Sequence, residues 1–232
     1  MTKFRRLICL ANSYKNGGRC IAGITDDAQS EWIRPVSKAP SGAIPEDRQK
    51  FEDQSEPRAL DIISVPLKKP VNIEKYKAYS FQRENWLLED GKKLRKVGRA
   101  DWNRLLELEQ RPKTLWINGY PPNRDFNDRI PGELTITLTE SLKLIRVSRV
   151  TLEVYTKGRK RLSAKFYYNR CHYKLRVTDP SYRSEYREKP DGLYTLGEAF
   201  LTVSLGEPFE GYSYKLVAAI IERAKTEADS SR

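Results

Sequence analysis

The sequence predicts a mainly β protein with a minor helical part, organised as two successive halves of short strands. Short apolar runs alternate with turn residues through most of the chain, and thirteen Tyr and four Trp favour strands over helices. One segment, 99–110, has the apolar spacing of a helix and separates the halves. At 232 residues the chain is long enough for one large domain or two small ones.

The first half predicts four strands and a less distinct fifth. The strand "RRLICLANSY" leads through Asn16-Gly17-Gly18, a strong tight-turn signal, to a returning strand, "RCIAGITD". The third and fourth strands are "EWIRPVS" and "LDIISVPLKKP", and Pro66 places the fourth at an edge or a bulge. The polar residues 38–58 between them predict a long connection or a short helix. Either "YKAYSFQ" or "NWLLEDG" supplies the fifth strand.

A helix is predicted over 99–110, where apolar side chains recur near helical spacing and Pro112 ends the pattern. The apolar residues are Trp102, Leu105, Leu106 and Leu108. The following segment, "LWINGYPPNRDFNDRIPGE", is rich in Pro and Asn and reads as a loop.

The second half predicts a clearer order of elements. The segment "LTITLTESLKLIRVSRVTLEVYT" supplies a long, bent strand or a pair of strands, and a hairpin of 161–168 and 171–178 turns at Asn169-Arg170. A short helix, "PSYRSEYRE", follows Asp179. The last strands are "AFLTVSLGEPF" and "YKLVAAIIERA", the second of which can finish as a helix. This is the element order of the oligonucleotide/oligosaccharide-binding (OB) barrel, a five-stranded Greek-key fold.

The first half permits the same barrel, with the polar segment 38–58 in place of the helix. We therefore expect two tandem OB-like five-stranded Greek-key barrels joined by a helix-containing linker. The expected boundaries are 1–90 for the first barrel, 91–114 for a basic linker and helix, 115–222 for the second barrel and 223–232 for a frayed tail.

Positive charge is concentrated in the second half. Residues 141–178 contain eleven Lys or Arg against one acid, Glu153, a net charge of +10 where the whole chain nets +12. Such a surface attracts phosphates by charge, and unpaired bases can stack on aromatic rings within it. The expected partner is nucleic acid, single-stranded by preference; an acidic protein or an anionic membrane ranks second. We expect no membrane attachment, since no amphipathic helix or lipidation motif is evident.

Alternation along the hairpin assigns apolar side chains to the barrel interior and cations to its outer face. Five candidate binding residues lie on that face, four cations precede it between the first two strands, and two rings lie in the loop 206–212. These candidates are Lys157, Arg159, Lys160, Arg161, Lys165, Tyr167, His172, Lys174, Arg176, Phe209 and Tyr212. Two further groups can extend the binding track or be ordinary surface and core: Lys92, Lys93, Arg95, Lys96 and Arg99 beside Trp86 and Trp102, and Asn12, Lys15, Arg19, Trp32 and Arg34 in the first barrel.

The sequence predicts no catalytic residue, metal site or cofactor. His172 is its only histidine, which excludes multi-histidine metal centres and most histidine relays. It contains no GxxxxGK[ST] phosphate-binding loop. The acid pairs Asp26-Asp27 and Glu52-Asp53 can in principle hold Mg²⁺, although acids in loops are usually only solvated.

The compartment expected from the sequence is the cytoplasm. The three cysteines are odd in number and lack CxxC spacing, which argues against a disulfide framework or a zinc site. No apolar run approaches the roughly 20 residues that span a bilayer. The apolar run near the start is too short for a signal peptide and reads as a first strand.

Several segments resemble a bacterial family, the dual OB-containing domain. They are "ANSYKNGGRCIAGI", "EWIRPVS", "LDIISVPL", "QRENWLL" and "LTVSLGEPFEGYSYKLVAAII", and the resemblance runs from about Leu7 to Ile221. It implies two adjacent barrels and a nucleic-acid role, in the setting of prokaryotic defence systems. It supplies no active-site residues to transfer.

Three functions stay open at this point. The leading one is a non-catalytic module that binds single-stranded DNA or RNA within a larger complex. The second is an interaction scaffold whose basic face docks an acidic nuclease or helicase partner, since fold does not settle function. The third is a metal-dependent nuclease that uses the acids at Asp26 and Asp27.

Overall fold

The computed structural model describes residues 3–15, 18–71, 81–120 and 126–230. Within these ranges the chain is mainly β and forms two sheets, which confirms the predicted fold class. The strands are β1 Lys3–Lys15, β2 Gly18–Thr25, β3 Trp32–Val36, β4 Asp61–Pro70, β5 Asn85–Leu88, β6 Arg95–Arg99, β7 Arg129–Pro131, β8 Leu142–Val147, β9 Val150–Lys157, β10 Arg159–Tyr168, β11 Cys171–Val177, β12 Gly192–Leu196, β13 Ala199–Leu205 and β14 Tyr212–Glu222. The helices are α1 Glu46–Gln49, α2 Trp102–Leu108, α3 Pro180–Glu185 and α4 Arg223–Ser230, with a 3₁₀ helix at Gly132–Thr137.

The first sheet closes into a five-stranded barrel. Its order is β1-β2-β3-β5-β4, and β4 pairs back onto β1, while β3 and β5 run parallel as in OB barrels. Strand β1 closes the barrel by pairing with β2 along one edge and with β4 along the other, so that Leu7 faces Thr25 of β2 and Ile63 of β4. Gly23 of β2 lies so close to β1 that an added Cβ would stand 2.3 Å from the Ile8 carbonyl oxygen. Only glycine fits at that crossing.

Strand β6 extends this sheet by pairing with β4, although the sequence assigns it to the basic linker. The residues are almost all exposed, so no apolar alternation marks them as a strand. The predicted helix is present as α2, and the Asp101 side chain caps it by accepting a hydrogen bond from the Arg104 amide.

The second sheet is a barrel of the same order. Strands β8 and β9 are the two halves of one bent first strand, and the order β9-β10-β11-β14-β13-β8 returns to it. Strands β11 and β14 run parallel. Helix α3 follows β11, and its cap Asp179 accepts hydrogen bonds from Ser181 N (2.9 Å) and, at its other oxygen, from Ile220 N of β14 (3.0 Å). Burial raises the pKa of Asp179, and these backbone donors oppose that rise.

Four local expectations differ from the structure or fall outside it. The start of the predicted long strand, "LTIT", is part of the 3₁₀ helix Gly132–Thr137, because hydroxyls of the segment bond back to its own carbonyls, as Thr135 does to Gly132. The frayed tail is instead helix α4, which is stabilised by the Arg223–Glu227 ion pair and by bonds back to β14. The fifth strand is formed by "NWLL". Most of the other candidate, 76–82, and the turn at 16–17 lie outside the described residues.

The two barrels share buried contacts. Ile8 and Leu10 of β1 pack in one apolar cluster with Leu144, Phe200 and Ile221 of the second barrel. The Thr202 hydroxyl donates a 2.6 Å hydrogen bond to the Leu10 carbonyl across the junction. Alanines close a neighbouring part of the contact, where backbones approach closely. The cleft between the barrels is therefore framed by a fixed, packed junction.

Candidate nucleic-acid interface

The candidate site begins on the outer face of β9, β10 and β11. Because neighbouring residues alternate between faces, Tyr173 and Leu175 point into the barrel while Lys174 and Arg176 point outward. The register brings the outward side chains together in rows across the three strands. The facing pairs are Arg161 with Tyr155, Ser163 with Glu153 and Arg176, Lys165 with Lys174, and Tyr167 with His172.

Glu153 occupies the centre of this face and pairs with two of the predicted cations. Its carboxylate lies 2.9 Å from Lys165 Nζ and 2.5 Å from Lys174 Nζ. Partial burial opposes ionisation, but the hydrogen bonds and charges of the two lysines outweigh it and hold the pKa of Glu153 below its ordinary value. These lysines therefore offer less charge to a ligand than the sequence suggests.

Four arginines at the other end of the face keep their charge available. This arginine cluster consists of Arg159, Arg161, Arg176 and Arg183, the last contributed by helix α3. None of the four forms an ion pair with any residue in the described ranges. Partial burial of Arg176, and then the charges of its three neighbours, lower its guanidinium pKa. The Nε of Arg161 is buried without a hydrogen-bond partner in the same ranges.

A cleft of about 870 Å³ lies between the barrels and continues from this face. Its cations outnumber its two acids, Asp128 and Glu207, of which Glu207 pairs with Lys15 across the cleft at 2.8 Å. The cations in its lining are Lys15, Arg34, Arg129, Lys157, Arg161, Lys174, Arg176 and Lys215, and the rings are Tyr14, Phe126, Tyr155, Phe209 and Tyr214. A second groove, of about 760 Å³, shares Tyr14 and Arg161 with the cleft and continues past Arg159, Lys160 and Arg183.

The loop between β13 and β14 contributes one free ring, and the first residue of β14 contributes one occupied ring. Phe209 is 63% exposed and lines the cleft. Tyr212 is half-buried, and the guanidinium of Arg129 lies 5.6 Å from its ring centroid. Phe209 is thus the better placed of the two for stacking on a base.

Tyr167 and His172 lie at the opposite end of the outer face from the arginine cluster. Their ring centroids are 4.9 Å apart with the planes tilted by 59°, and Tyr167 is 55% exposed. Arg176 follows His172 by four positions along the strand, a distance of about 13 Å. Like Lys165 and Tyr212, these two rings do not line the cleft.

Sequence reasoning missed Arg183, Tyr14, Tyr155, Arg129 and Phe126. Tyr155 could have been found, because it alternates with Glu153 and Lys157 on a predicted strand. The others reach the site through the tertiary fold.

The first-barrel and linker candidates are mostly committed to structural contacts. Arg34 is buried and lies 3.0 Å from Glu84. Lys96 and Arg99 both pair with the buried Asp61, and Trp102 is buried in the junction core.

The acid pairs considered for metal binding contact arginines or nearby hydroxyls. Asp26 lies 2.8 Å from Arg6, and Asp27 lies 3.2 Å from Arg5. Asp53 accepts hydrogen bonds from Ser55. Across the described ranges, no three His, Cys, Asp or Glu side chains converge as a metal site would require. No helix in the same parts of the chain is long and apolar enough to span a membrane.

One of the comparisons with known proteins, the match to a family model, shows the family of this chain. The crystal structure of the tetrameric p202 HIN2 is similar at 8% sequence identity and a TM-score of 0.27, with 95% of each chain covered. The comparison with curated proteins gave no match. The model of the dual OB-containing domain matches residues 5–220, nearly the whole chain. With the two OB-type barrels, this confirms the resemblance seen in the sequence: the chain belongs to the dual OB-containing domain family.

Proposed function

We propose that this protein is a non-catalytic module that binds single-stranded DNA or RNA in the cleft between its barrels. The observation that supports this most directly is the composition of the cleft, where cations and aromatic rings from both barrels face a shared space of about 870 Å³. Cationic grooves attract the phosphate backbone, and exposed rings stack on bases.

The position of the cleft favours single strands. OB barrels bind their ligands on the second and third strands and the loops beside them. Here those strands are β10 and β11, and the loop between β13 and β14 brings Phe209 beside them. Stacking on Phe209 requires a base whose face is free, which a duplex does not offer.

The test is fluorescence anisotropy with labelled single- and double-stranded DNA and RNA across a salt series. The variant replaces Arg159, Lys160 and Arg161 together with Ala. If the three side chains contact phosphates, affinity falls and the slope of log K against log salt shrinks by about 2, since each single-strand contact contributes about 0.7.

A matched control removes the same charge elsewhere. Lys69, Lys113 and Arg149 are exposed and line neither groove, so their joint replacement by Ala should leave the slope nearly unchanged. Equal effects of the two triple variants would mean that only net charge matters and would contradict the proposed site. Absence of binding to every nucleic acid, with a stoichiometric acidic protein co-purifying, would instead favour the scaffold function.

A further inference from the structure

Unlike most other arginines in the described ranges, those of the arginine cluster have no carboxylate partner. Arg99, Arg129, Arg146 and Arg223 each have a carboxylate oxygen within 4.0 Å. Arg159, Arg161, Arg176 and Arg183 have none in the described ranges, although the first two and Arg183 lie close enough to Arg176 to repel its charge. Such repulsion destabilises the folded state. Folding alone does not account for this arrangement, whereas a bound anion does.

The chemistry of guanidinium indicates phosphate. A guanidinium presents its N–H donors in a planar fork that matches phosphate oxygens. An internal phosphodiester has one negative charge, whereas a terminal phosphate monoester carries about 1.5 to 2 and offers three acceptor oxygens. Four guanidiniums that line adjoining parts of the cleft and the second groove carry more positive charge than one internal phosphate can balance.

The arginine cluster also lies at a point where a bound nucleic-acid strand can end. Arg161 lines both the cleft and the second groove, so the cluster stands at the junction of the two. Tyr14 of the first barrel borders the same point, and the Arg183 guanidinium lies 5.2 Å from its ring centroid. Tyr14 is 53% exposed. Residues of both barrels and of helix α3 thus meet at one position, beside the cleft in which the nucleic-acid strand is proposed to lie.

We propose that the arginine cluster binds the terminal phosphate monoester of a nucleic-acid strand whose following nucleotides lie in the cleft. This inference rests on the proposed function, because it assigns one end of the strand bound there. With this binding site the protein recognises the end of a nucleic-acid strand as well as its single-stranded character.

The experiment compares oligonucleotides that differ only in one terminal phosphate. Anisotropy is measured for a 3′-labelled strand with a 5′-phosphate or a 5′-hydroxyl, and for a 5′-labelled strand with a 3′-phosphate or a 3′-hydroxyl. The proteins are the full chain, Arg176→Gln, Arg183→Gln and the control Arg149→Gln. Arg149 is exposed and lines neither groove. Melting temperatures verify that each variant is folded.

The expected result is a preference of about tenfold or more for the phosphorylated strand at one of its ends, lost in Arg176→Gln and Arg183→Gln and kept in Arg149→Gln. The preference should also shrink from pH 7.5 to pH 5.5, since the second proton of a phosphate monoester binds near pH 6. Binding with no preference at either end would overturn this inference and leave the proposed function standing. Failure to bind any strand would overturn both.

Discussion

Removing Glu84 should cost this fold more stability than any surface acid, because Glu84 neutralises a buried arginine at the junction of the barrels. The side chains of Arg34 and Glu84 are both 5% exposed and 3.0 Å apart. Arg34 also donates to Ser141 Oγ at 2.8 Å and to Asn85 Oδ1 at 3.1 Å, and Ser141 donates to Glu84. The network joins the first barrel to the residue that precedes β8.

The change Glu84→Ala leaves the guanidinium buried and uncompensated, which costs about 3–5 kcal/mol. For a chain of this length, that corresponds to a fall in melting temperature of roughly 6–20 °C. Replacing both partners by Met should recover much of the loss, since an apolar pair needs no compensating charge.

Urea unfolding and thermal melts of the wild type, Glu84→Ala, the single variants Glu84→Met and Arg34→Met, and the double Met variant measure these quantities. Glu188→Ala is the control, because Glu188 and its partner Arg187 are almost fully exposed. A loss below about 1 kcal/mol for Glu84→Ala, or a double variant as unstable as the sum of the singles, would refute the reasoning.

Two further predictions concern Glu153 and Lys215. Glu153→Gln should free Lys165 and Lys174 and so raise single-strand affinity several-fold in anisotropy, with a salt slope steeper by up to about 1.4. Glu198 also pairs with two cations, Arg146 and Arg223, but lies outside the cleft. Both arginines keep a second carboxylate partner, Glu109 or Glu227, so Glu198→Gln should leave affinity unchanged. Burial lowers the pKa of Lys215 to about 7, so above that pH the unfolded chain binds more protons than the folded one. The free energy of unfolding should therefore rise between pH 7.5 and pH 9, by up to about 1.4 kcal/mol per pH unit, and the rise should vanish in Lys215→Met. Parallel pH profiles for the two proteins would contradict this.

The parts of the fold that the sequence predicts are those with local signals. The hairpin of β10 and β11 alternates cleanly, because one face is buried in the barrel and the other faces solvent. Strand β6 has no such alternation and exists only because β4 offers it an edge, a partner some thirty residues earlier in the chain. Periodicity within a segment cannot reveal that kind of pairing.

The candidate site likewise combines features that have a local sequence signal with features that depend on the tertiary fold. Its cations could be identified from charge density along 141–178, but their pairing could not. Glu153 is one acid among eleven cations in the sequence, yet it contacts Lys165 and Lys174 and leaves the arginines free. Arg183 and Tyr14 join the cluster from α3 and β1, 169 positions apart in the chain. Only the tertiary fold brings them to one place.

The shared core between the barrels has a consequence for the protein's synthesis. Ile8, Leu10 and α2 present an apolar surface whose partners include Phe200 and Ile221. At about 5–20 residues per second, a ribosome needs roughly 6–23 s to travel from the end of α2 to Ile221. For that interval the nascent first barrel exposes this apolar surface, because the residues of β13 and β14 that cover it have not yet been synthesised. Chaperone demand should therefore peak after the first barrel emerges and end when β14 arrives.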